Sequence, residues 1–310
     1  MKYFRPILAT ILIIIIAFPL STFAATWTER TDAGTRGWQS ITSSADGTKL
    51  AAVDAGSGYI YTSADSGATW TERTGSGARA WQSITSSSDG TSLAAVVWNG
   101  YIYTSTNSGA SWTERSSVGP RLWTSISSSS DGTKFAASVA SGYIYTSTNS
   151  GITWSTRSDS SGSRNWRSIT SSADGTKLAA GDYDGYIYTS TDSGATWSTQ
   201  SNSSGIRSWY NITSSSDGTK IASGVNNNGY IYTSTDSGAT WTEQSSSGAR
   251  NWRSITSSAD GVKLAAAAYG GYLYISADSG ATWTEQTSAG SRNWLGITSS
   301  ADGVKLAAVN

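Results

Sequence analysis

Arginine recurs at one position throughout the chain, always two residues before a tryptophan. The seven members are Arg36, Arg79, Arg121, Arg164, Arg207, Arg250 and Arg292. A guanidinium beside an aromatic ring can bind carboxylates or sulfates through paired hydrogen bonds, and it can stack on sugar rings. It can equally hold its own repeat together by capping loop carbonyls or by stacking on a neighbouring tryptophan. Because every repeat carries this arginine we favour the structural role, but both roles stay open.

The 21 acidic residues occupy repeated and non-repeated positions. Most belong to Asp-Gly pairs, to a second recurrent turn or to a recurrent glutamate. The five that remain are Asp32, Asp54, Asp159, Asp182 and Asp184. Four aromatic residues also depart from the repeat, namely Trp98, Tyr183, Tyr210 and Tyr269. Non-repeated loop residues are where a specific contact would be built, although loops under little constraint also drift.

Composition excludes several kinds of site. The chain of 310 residues has no histidine and no cysteine, so it has no Ser-His-Asp or Cys-His nucleophile pair, no ordinary zinc site and no disulfide. Its 21 basic and 21 acidic residues balance, whereas a nucleic-acid-binding protein would carry a basic face. We therefore predict no nucleic-acid partner, no metal and no cofactor.

Two tryptophan series reveal the elements that must position these residues. The first is Trp38, Trp81, Trp123, Trp166, Trp209, Trp252 and Trp294, and each member is followed by an Asp-Gly turn. The second is Trp27, Trp70, Trp112, Trp154, Trp197, Trp241 and Trp283. Intervals within both series are 42 to 44 residues, and of the 15 tryptophans only Trp98 stands outside them.

Each unit reads as four short strands separated by Gly-rich turns. In the first unit, apolar residues alternate with polar ones over residues 38–43, 49–53, 59–63 and 69–73, with an Asp-Gly turn at Asp46. Four antiparallel strands per unit of this length are typical of a β-propeller blade. One four-stranded sheet cannot bury both faces alone, so the units must stack around an axis. The sequence predicts an all-β, seven-bladed propeller with one blade possibly incomplete.

The turn between the third and fourth strands has its own signature. It reads SADSGATW at residues 63–70 and 276–283, STDSGATW at 190–197 and 234–241, STNSGASW at 105–112 and STNSGITW at 147–154. This pattern resembles the Asp-box, or BNR, repeat of sialidases, sortilin-type receptors, some glucan hydrolases and a photosystem II assembly factor family. The resemblance covers essentially all of residues 25–310 and implies the propeller fold.

The acidic or amide residue of this turn is predicted to be structural. Its six members are Asp65, Asn107, Asn149, Asp192, Asp236 and Asp278. A short Asp or Asn side chain can accept backbone N–H bonds within a turn. A calcium loop would need several carboxylates, whereas each turn has at most one and two turns have Asn instead.

Alternating strand direction assigns the turns to two faces. The Asp-Gly turns and the Asp-box-like turns share one face, and the second-to-third and fourth-to-first loops share the other, which we call the loop face. In sialidase-like propellers the active site lies opposite the Asp-boxes, so the resemblance implies a site on the loop face. The ligand-binding candidates are the seven arginines together with Trp98, Asp182 and Asp184.

Catalysis is not favoured. A sialidase-like site would need an arginine triad, a Tyr/Glu nucleophile pair and an aspartate at single places in the ring. Here the arginines are seven equivalents, and every glutamate belongs to the fourth-strand series Glu29, Glu72, Glu114, Glu243 and Glu285. A glycosidase also needs two carboxylates facing each other. Asp182 and Asp184 share one loop, although either might oppose Asp54 or Asp159.

The first residues predict export. Lys2 and Arg5 precede an almost unbroken apolar run over residues 7–20, and Ser21-Thr22-Phe23-Ala24 then offers a small residue at the expected cleavage point. This is the layout of a secretory signal peptide. We predict a signal peptide at 1–24, a single propeller domain at 25–310, and a secreted, cell-surface or periplasmic protein. An uncleaved signal anchor is the alternative, and it would be the only membrane contact.

The repeats leave one blade short of a strand. Residues 25–310 contain seven first, second and fourth strands but only six Tyr-Ile-Tyr or Tyr-Leu-Tyr third strands. We expect a ring closed imperfectly at one blade, or a sequence that continues past Asn310.

Three functions follow from these observations. The leading hypothesis is an exported, non-catalytic binding module, lectin-like, that binds glycans or a cell-surface ligand through the loop face, because near-identical blades suit repeated weak contacts. The second is a protein-interaction or assembly-factor propeller, as the photosystem-factor resemblance implies. The third is a diverged sialidase-like glycoside hydrolase.

Overall fold

The computed structural model describes residues 11–15, 26–158, 162–200 and 205–310, with backbone alone for 11–15. Nearly all of the regular structure there is antiparallel β-sheet. Short 3-10 turns join some sheets at Thr74–Ser76, Ser116–Val118, Ser245–Ser247 and Thr287–Ala289. None of the helices in these ranges has the length and apolar character needed to cross a membrane.

Strand pairing in the described residues forms seven four-stranded antiparallel units, which we call blades 1 to 7. The first strands are Trp38–Ser43, Trp81–Ser86, Arg121–Ser128, Trp166–Ser171, Arg207–Ser214, Trp252–Ser257 and Gly296–Ser299. The second strands are Leu50–Asp54, Leu93–Gly100, Phe135–Val139, Leu178–Gly185, Ile221–Val225, Leu264–Gly271 and Lys305–Val309.

The outer strands complete each blade. The third strands are Ile60–Ser63, Ile102–Ser105, Ile144–Ser147, Ile187–Ser190, Ile231–Ser234, Leu273–Ser276 and, in blade 7, Ile11–Ile15. The fourth strands are Thr71–Arg73, Thr113–Arg115, Ser155–Thr156, Ser198–Thr199, Thr242–Gln244, Thr284–Gln286 and Thr28–Arg30. A further two-residue strand, Arg292–Asn293, pairs with the end of the blade 6 second strand.

The seven blades close into a ring. Each first strand contacts the first strands of the two neighbouring blades, and blade 7 contacts blade 1. Beside the Asp-Gly turns a cycle of backbone N–H···O bonds of 2.7 to 2.8 Å runs once around the axis, and its members are Ala45, Ser88, Ser130, Ala173, Ser216, Ala259 and Ala301. The last bond, from Ala301 N to Ala45 O, returns to the start. The all-β propeller predicted from the repeats is confirmed.

Aromatic packing between blades explains the two residue periods. The first-strand tryptophans are fully buried, and in blade 1 the ring of Trp38 meets that of Tyr61 edge to face at 5.0 Å. This pair packs against Ala307 and Val309 of blade 7. Large rings on one sheet and small residues on the next fill the wedge between blades, and such aromatic burial is a major source of packing energy.

The third-strand position of blade 7 is occupied by Ile11–Ile15. The backbone of Ile11–Ile15 pairs with Lys305–Val309 on one side and Thr28–Arg30 on the other. The sequence predicts no third strand for this position from residues 25–310, whereas the structure places there a segment that lies within the predicted signal peptide. Cleavage of that peptide stays a prediction.

Candidate functional site

The seven repeated arginines lie at the rim of the loop face, half-buried. In six blades the guanidinium carbon lies 4.4 to 4.8 Å from the centre of a third-strand tyrosine ring, the pairs being Arg36–Tyr61, Arg79–Tyr103, Arg121–Tyr145, Arg164–Tyr188, Arg207–Tyr232 and Arg250–Tyr274. Arg292 instead lies 5.8 Å from the Trp294 ring. Blade 7 has no tyrosine-bearing third strand, which explains that difference.

Arg36 and Arg79 also bind groups of the loop that leads into their blade, and Arg36 binds the outermost strand of the blade. Arg36 Nε donates to the Ala33 carbonyl at 3.0 Å, and Arg79 Nε donates to the Ser76 carbonyl at 3.2 Å. Arg36 forms an ion pair of 3.4 Å with Glu72 on the outermost strand. The guanidinium therefore points toward the rim and not toward the axis, and these contacts favour the structural role, with tyrosine as the stacking partner.

The stacked tyrosines continue the same network. Tyr61, Tyr103, Tyr232 and Tyr274 donate their hydroxyls to fourth-strand glutamates. Burial, and then the hydrogen bond to Glu243, raises the pKa of Tyr232 to about 12. The tyrosine stays protonated at neutral pH, which keeps each column of arginine, tyrosine and glutamate intact.

The Asp and Asn side chains of the third-to-fourth turns make local bonds. Asp65 Oδ1 accepts from Thr69 N at 2.9 Å and from the Ser63 hydroxyl at 2.7 Å. The same backbone bond forms at Asn107, Asn149, Asp192, Asp236 and Asp278. The bonds from Thr69 and Ser63 lower the pKa of Asp65 to about 2.

The non-repeated aspartates lie in separate places. Asp54 and Asp182 are buried at the register position opposite the first-strand tryptophan, where four other blades have Val97, Val139, Val225 and Ala268. Asp54 accepts from Gly56 N at 2.8 Å. Burial raises the pKa of Asp182. Asp184 accepts from the Ser208 hydroxyl at 2.5 Å, Asp32 is exposed, and Asp159 lies outside the described residues.

Trp98 lies on the loop face at the end of the blade 2 second strand. Its side chain is 39% exposed, and Leu122 of blade 3, opposite it in register, is 37% exposed. These two exposed apolar residues are therefore cross-strand neighbours on the loop face.

The axis of the ring holds an open channel of about 210 Å³. The channel is lined in every blade by the residue that directly follows the tryptophan of the first series, including the residue after Trp294 in blade 7. These residues are Gln39, Gln82, Thr124, Arg167, Tyr210, Arg253 and Leu295. The residue type at this position differs from blade to blade although the flanking residues hardly change. The two sides of the channel therefore differ in chemistry. Amides lie in blades 1 and 2, and cations lie in blades 4 and 6.

Two arginines converge on one tyrosine inside this channel. The guanidinium carbons of Arg167 and Arg253 lie 4.2 and 4.4 Å from the centre of the Tyr210 ring. Both side chains also donate hydrogen bonds to the Tyr210 hydroxyl. Tyr183 meets Tyr210 edge to face at 6.4 Å, and Arg253 lies 4.9 Å from the Tyr269 ring. We call Arg167, Tyr183, Tyr210, Arg253 and Tyr269 the mouth cluster.

The mouth cluster carries uncompensated positive charge. Ion pairs between side chains in the described ranges occur at Arg36–Glu72 and Arg292–Glu29, and neither involves the cluster. Arg253 Nε is buried and has no hydrogen-bond partner among the described residues. No group of three or more carboxylates in the same residues could hold a metal. The cluster is therefore suited to binding an anionic ligand.

Sequence reasoning singled out Tyr183, Tyr210 and Tyr269 but missed Arg167 and Arg253. The available signal was the residue after each first-strand tryptophan, which reads Gln, Gln, Thr, Arg, Tyr, Arg and Leu through the blades. When the residue type varies at one register position of an otherwise constant strand, the packing of the blade does not determine which residue stands there.

Solved structures with the same fold include two of YCF48. One, described as bound to D1 peptide, is 17% identical and has a TM-score of 0.67, covering 88% of this chain and 93% of its own. The other, from Cyanidioschyzon merolae, is 18% identical with a TM-score of 0.63, covering 87% and 94%. The fold is that of a β-propeller.

A GH74 xyloglucanase from Xanthomonas campestris shares that fold. It is 14% identical with a TM-score of 0.68, covering 89% of this chain and 51% of its own. No protein-family model and no curated protein matches the chain. Identities this low show the propeller fold alone.

Proposed function

We propose that this protein is an exported, non-catalytic β-propeller that binds a protein partner through the loop face, at the mouth cluster. The observation that carries the proposal is the convergence of five non-repeated residues from blades 4, 5 and 6. The repeated residues are used by packing in every blade, whereas these five are not needed to form a blade.

The composition of the cluster fits a protein-binding surface. Arginine and tyrosine are enriched among the residues that dominate binding energies at protein interfaces. The solved YCF48 structure described as bound to D1 peptide supports the proposal, because it shows that a propeller of the same fold can bind a peptide.

The position of the carboxylates supports a non-catalytic role. Hydrolysis of a glycoside needs two carboxyl groups on either side of the scissile bond. Asp54 bonds to the backbone of its own loop, and Asp184 bonds to Ser208. Neither residue lines the axial channel.

Glycan binding is the second candidate, and one observation favours it. Trp98 and Tyr269 are each 39% exposed on the loop face, and exposed aromatic rings can stack on sugars. Tyr269 belongs to the mouth cluster and Trp98 does not, so sensitivity to Trp98→Ala is expected for glycan binding alone.

Selection from a random peptide library and binding to a glycan array distinguish the candidates. Tyr269→Ala places in blade 6 the residue that blade 3 has at Ala140, and Trp98→Ala does the same in blade 2. We expect peptide ligands whose affinity falls at least tenfold with Tyr269→Ala, as for a hot-spot tyrosine, and is unchanged by Trp98→Ala. Glycan binding that Trp98→Ala abolishes, with no peptide ligand, would overturn the proposal in favour of a lectin.

A further inference from the structure

We infer that the axial channel contains a binding site for a single carboxylate group, held by Arg167, Arg253 and the Tyr210 hydroxyl. The inference rests on the proposed function, since it assigns the chemistry of the ligand at the mouth cluster. The carboxylate can come from the free C-terminus of a peptide or from a small organic acid.

Arg167, Arg253 and the Tyr210 hydroxyl together present hydrogen-bond donors and no free acceptor. Arg167 of blade 4 and Arg253 of blade 6 occupy the same register on either side of Tyr210 in blade 5, and both donate to its hydroxyl oxygen. A phenolic oxygen accepts two hydrogen bonds, so those two bonds use its acceptor capacity and leave its O–H proton free to donate. Each guanidinium has five N–H groups and keeps others available. A ligand at this point must therefore supply acceptors.

The positive charge of the two arginines favours a negatively charged acceptor over a neutral one. Two guanidinium groups that stack on one ring repel each other, and no ion pair in the described residues compensates them. A carboxylate supplies a negative charge and two oxygens, and it suits the planar fork of arginine. A neutral amide would leave the repulsion in place.

The rest of the channel can bind the part of the peptide ligand that precedes its terminal carboxylate. Gln39 and Gln82 line the side of blades 1 and 2. Primary amides both donate and accept, so they can pair with backbone N–H and C=O groups of an extended peptide. Cations on one side and amides on the other give the channel a direction, with the carboxylate toward blades 4 and 6.

The fold itself provides the matched substitutions. Blades 4 and 6 read WRSITS at residues 166–171 and 252–257, whereas blades 1 and 2 read WQSITS at 38–43 and 81–86. Arg167→Gln and Arg253→Gln therefore place in two blades a strand that two others already form. Lys220→Ser is the control for loss of a positive charge outside the channel, because blade 2 has Ser92 at the equivalent position and Lys220 packs on the Asp-Gly turn of the next blade.

Calorimetry on the full chain tests the site with three probes: a library-selected peptide as the free acid, the same peptide as the C-terminal amide, and acetate. We expect the free acid to bind at least tenfold more tightly than the amide, as for the loss of one charged hydrogen-bond partner. The double variant Arg167→Gln/Arg253→Gln should lose this preference, and Lys220→Ser should keep it. NMR chemical shifts of the arginine Nε–Hε groups, recorded with and without acetate, test the site without a selected peptide.

The three probes distinguish a peptide C-terminus from a small organic acid as the source of the carboxylate. They also test the carboxylate site separately from the proposed protein-binding function. Saturable acetate binding that displaces the peptide and shifts the Arg253 Nε–Hε signal identifies a site that small organic acids can fill. A shift by the free acid alone identifies a chain terminus. Acid and amide that bind equally, or a preference that survives in the double variant, would overturn the carboxylate site. If such a peptide still depended on Tyr269, the proposed function would stand.

Discussion

Arg79 and Arg253 have the same side chain on the same face of the ring, but their neighbours differ. Arg79 stacks on Tyr103 of its own blade, and its Nε donates to the Ser76 carbonyl in the turn that leads into that blade. Arg253 instead shares the hydroxyl of Tyr210, in the neighbouring blade, with Arg167. At the residue scale, the proposed distinction between a structural and a binding arginine therefore lies in whether it stacks on the repeated third-strand tyrosine or on the non-repeated Tyr210.

The turn aspartates predict a loss of stability in acid. The folded pKa of Asp65 is about 2, below the ordinary unfolded value of about 3.9. A lowered folded pKa stabilises the fold above the unfolded pKa, and that contribution is lost as pH falls from about 4 to about 2. Asp65→Asn keeps the turn bonds, as Asn107 and Asn149 show, but it cannot titrate.

Thermal unfolding across this pH range measures the effect. We expect Asp65→Asn to be slightly less stable than the parent at pH 7, because charged hydrogen bonds are the stronger ones, and equal to it near pH 2. The reciprocal change Asn107→Asp should add pH dependence to blade 2. A difference between parent and Asp65→Asn that does not change with pH would contradict the assignment.

At the scale of the structural element, the third-to-fourth turn holds neighbouring blades together as well as its own strands. Gly109 has φ of 82°, and a Cβ there would lie 2.9 Å from Thr62 Cγ2 of the preceding blade. Equivalent glycines meet Thr104, Thr146, Thr189 and Thr233. The turn thus needs glycine for two reasons, the left-handed backbone and the close approach.

A pair of glycine substitutions tests this contact. Gly109→Ala should cost about 2 kcal/mol of unfolding free energy, from the left-handed conformation and the steric contact. Gly75→Ala is the control, since no atom lies within 4 Å of a Cβ there and its φ is not positive; it should be neutral or stabilising by ~0.5 kcal/mol. Urea unfolding measures both, and equal stabilities for the two variants would contradict the interblade role.

The sequence predicts the elements well because each signal is repeated. Trp38 and its six counterparts mark first strands, the Asp-Gly pairs mark the next turn, and the second and third strands of blade 1 begin within one residue of their predicted starts. It does not predict that Arg36 stacks on Tyr61, because that contact joins the first and third strands across the face of a sheet. Arg167 and Arg253 were missed because their convergence depends on the ring, in which residues 43 positions on either side of Tyr210 become neighbours.

At the scale of the whole molecule, a nearly symmetric ring carries an asymmetric channel. The backbone hydrogen-bond cycle and the buried tryptophans recur in all seven blades, whereas the channel-lining residues differ between blades. Symmetry therefore serves stability, and the departures from symmetry coincide with the proposed binding site. We propose that ligand binding depends on Arg167 and Arg253, the mouth arginines, and not on the seven repeated arginines at the rim.

The affinity of one library-selected peptide for two matched double variants tests this claim most directly. Arg167→Gln/Arg253→Gln removes both mouth charges, and Arg36→Gln/Arg79→Gln removes two rim charges from the same face; circular dichroism and thermal unfolding verify that both variants fold. We predict that the mouth variant weakens binding at least tenfold, as for hot-spot arginines, and that the rim variant stays within about twofold of the parent. Loss of binding in the rim variant with normal binding in the mouth variant would contradict the account.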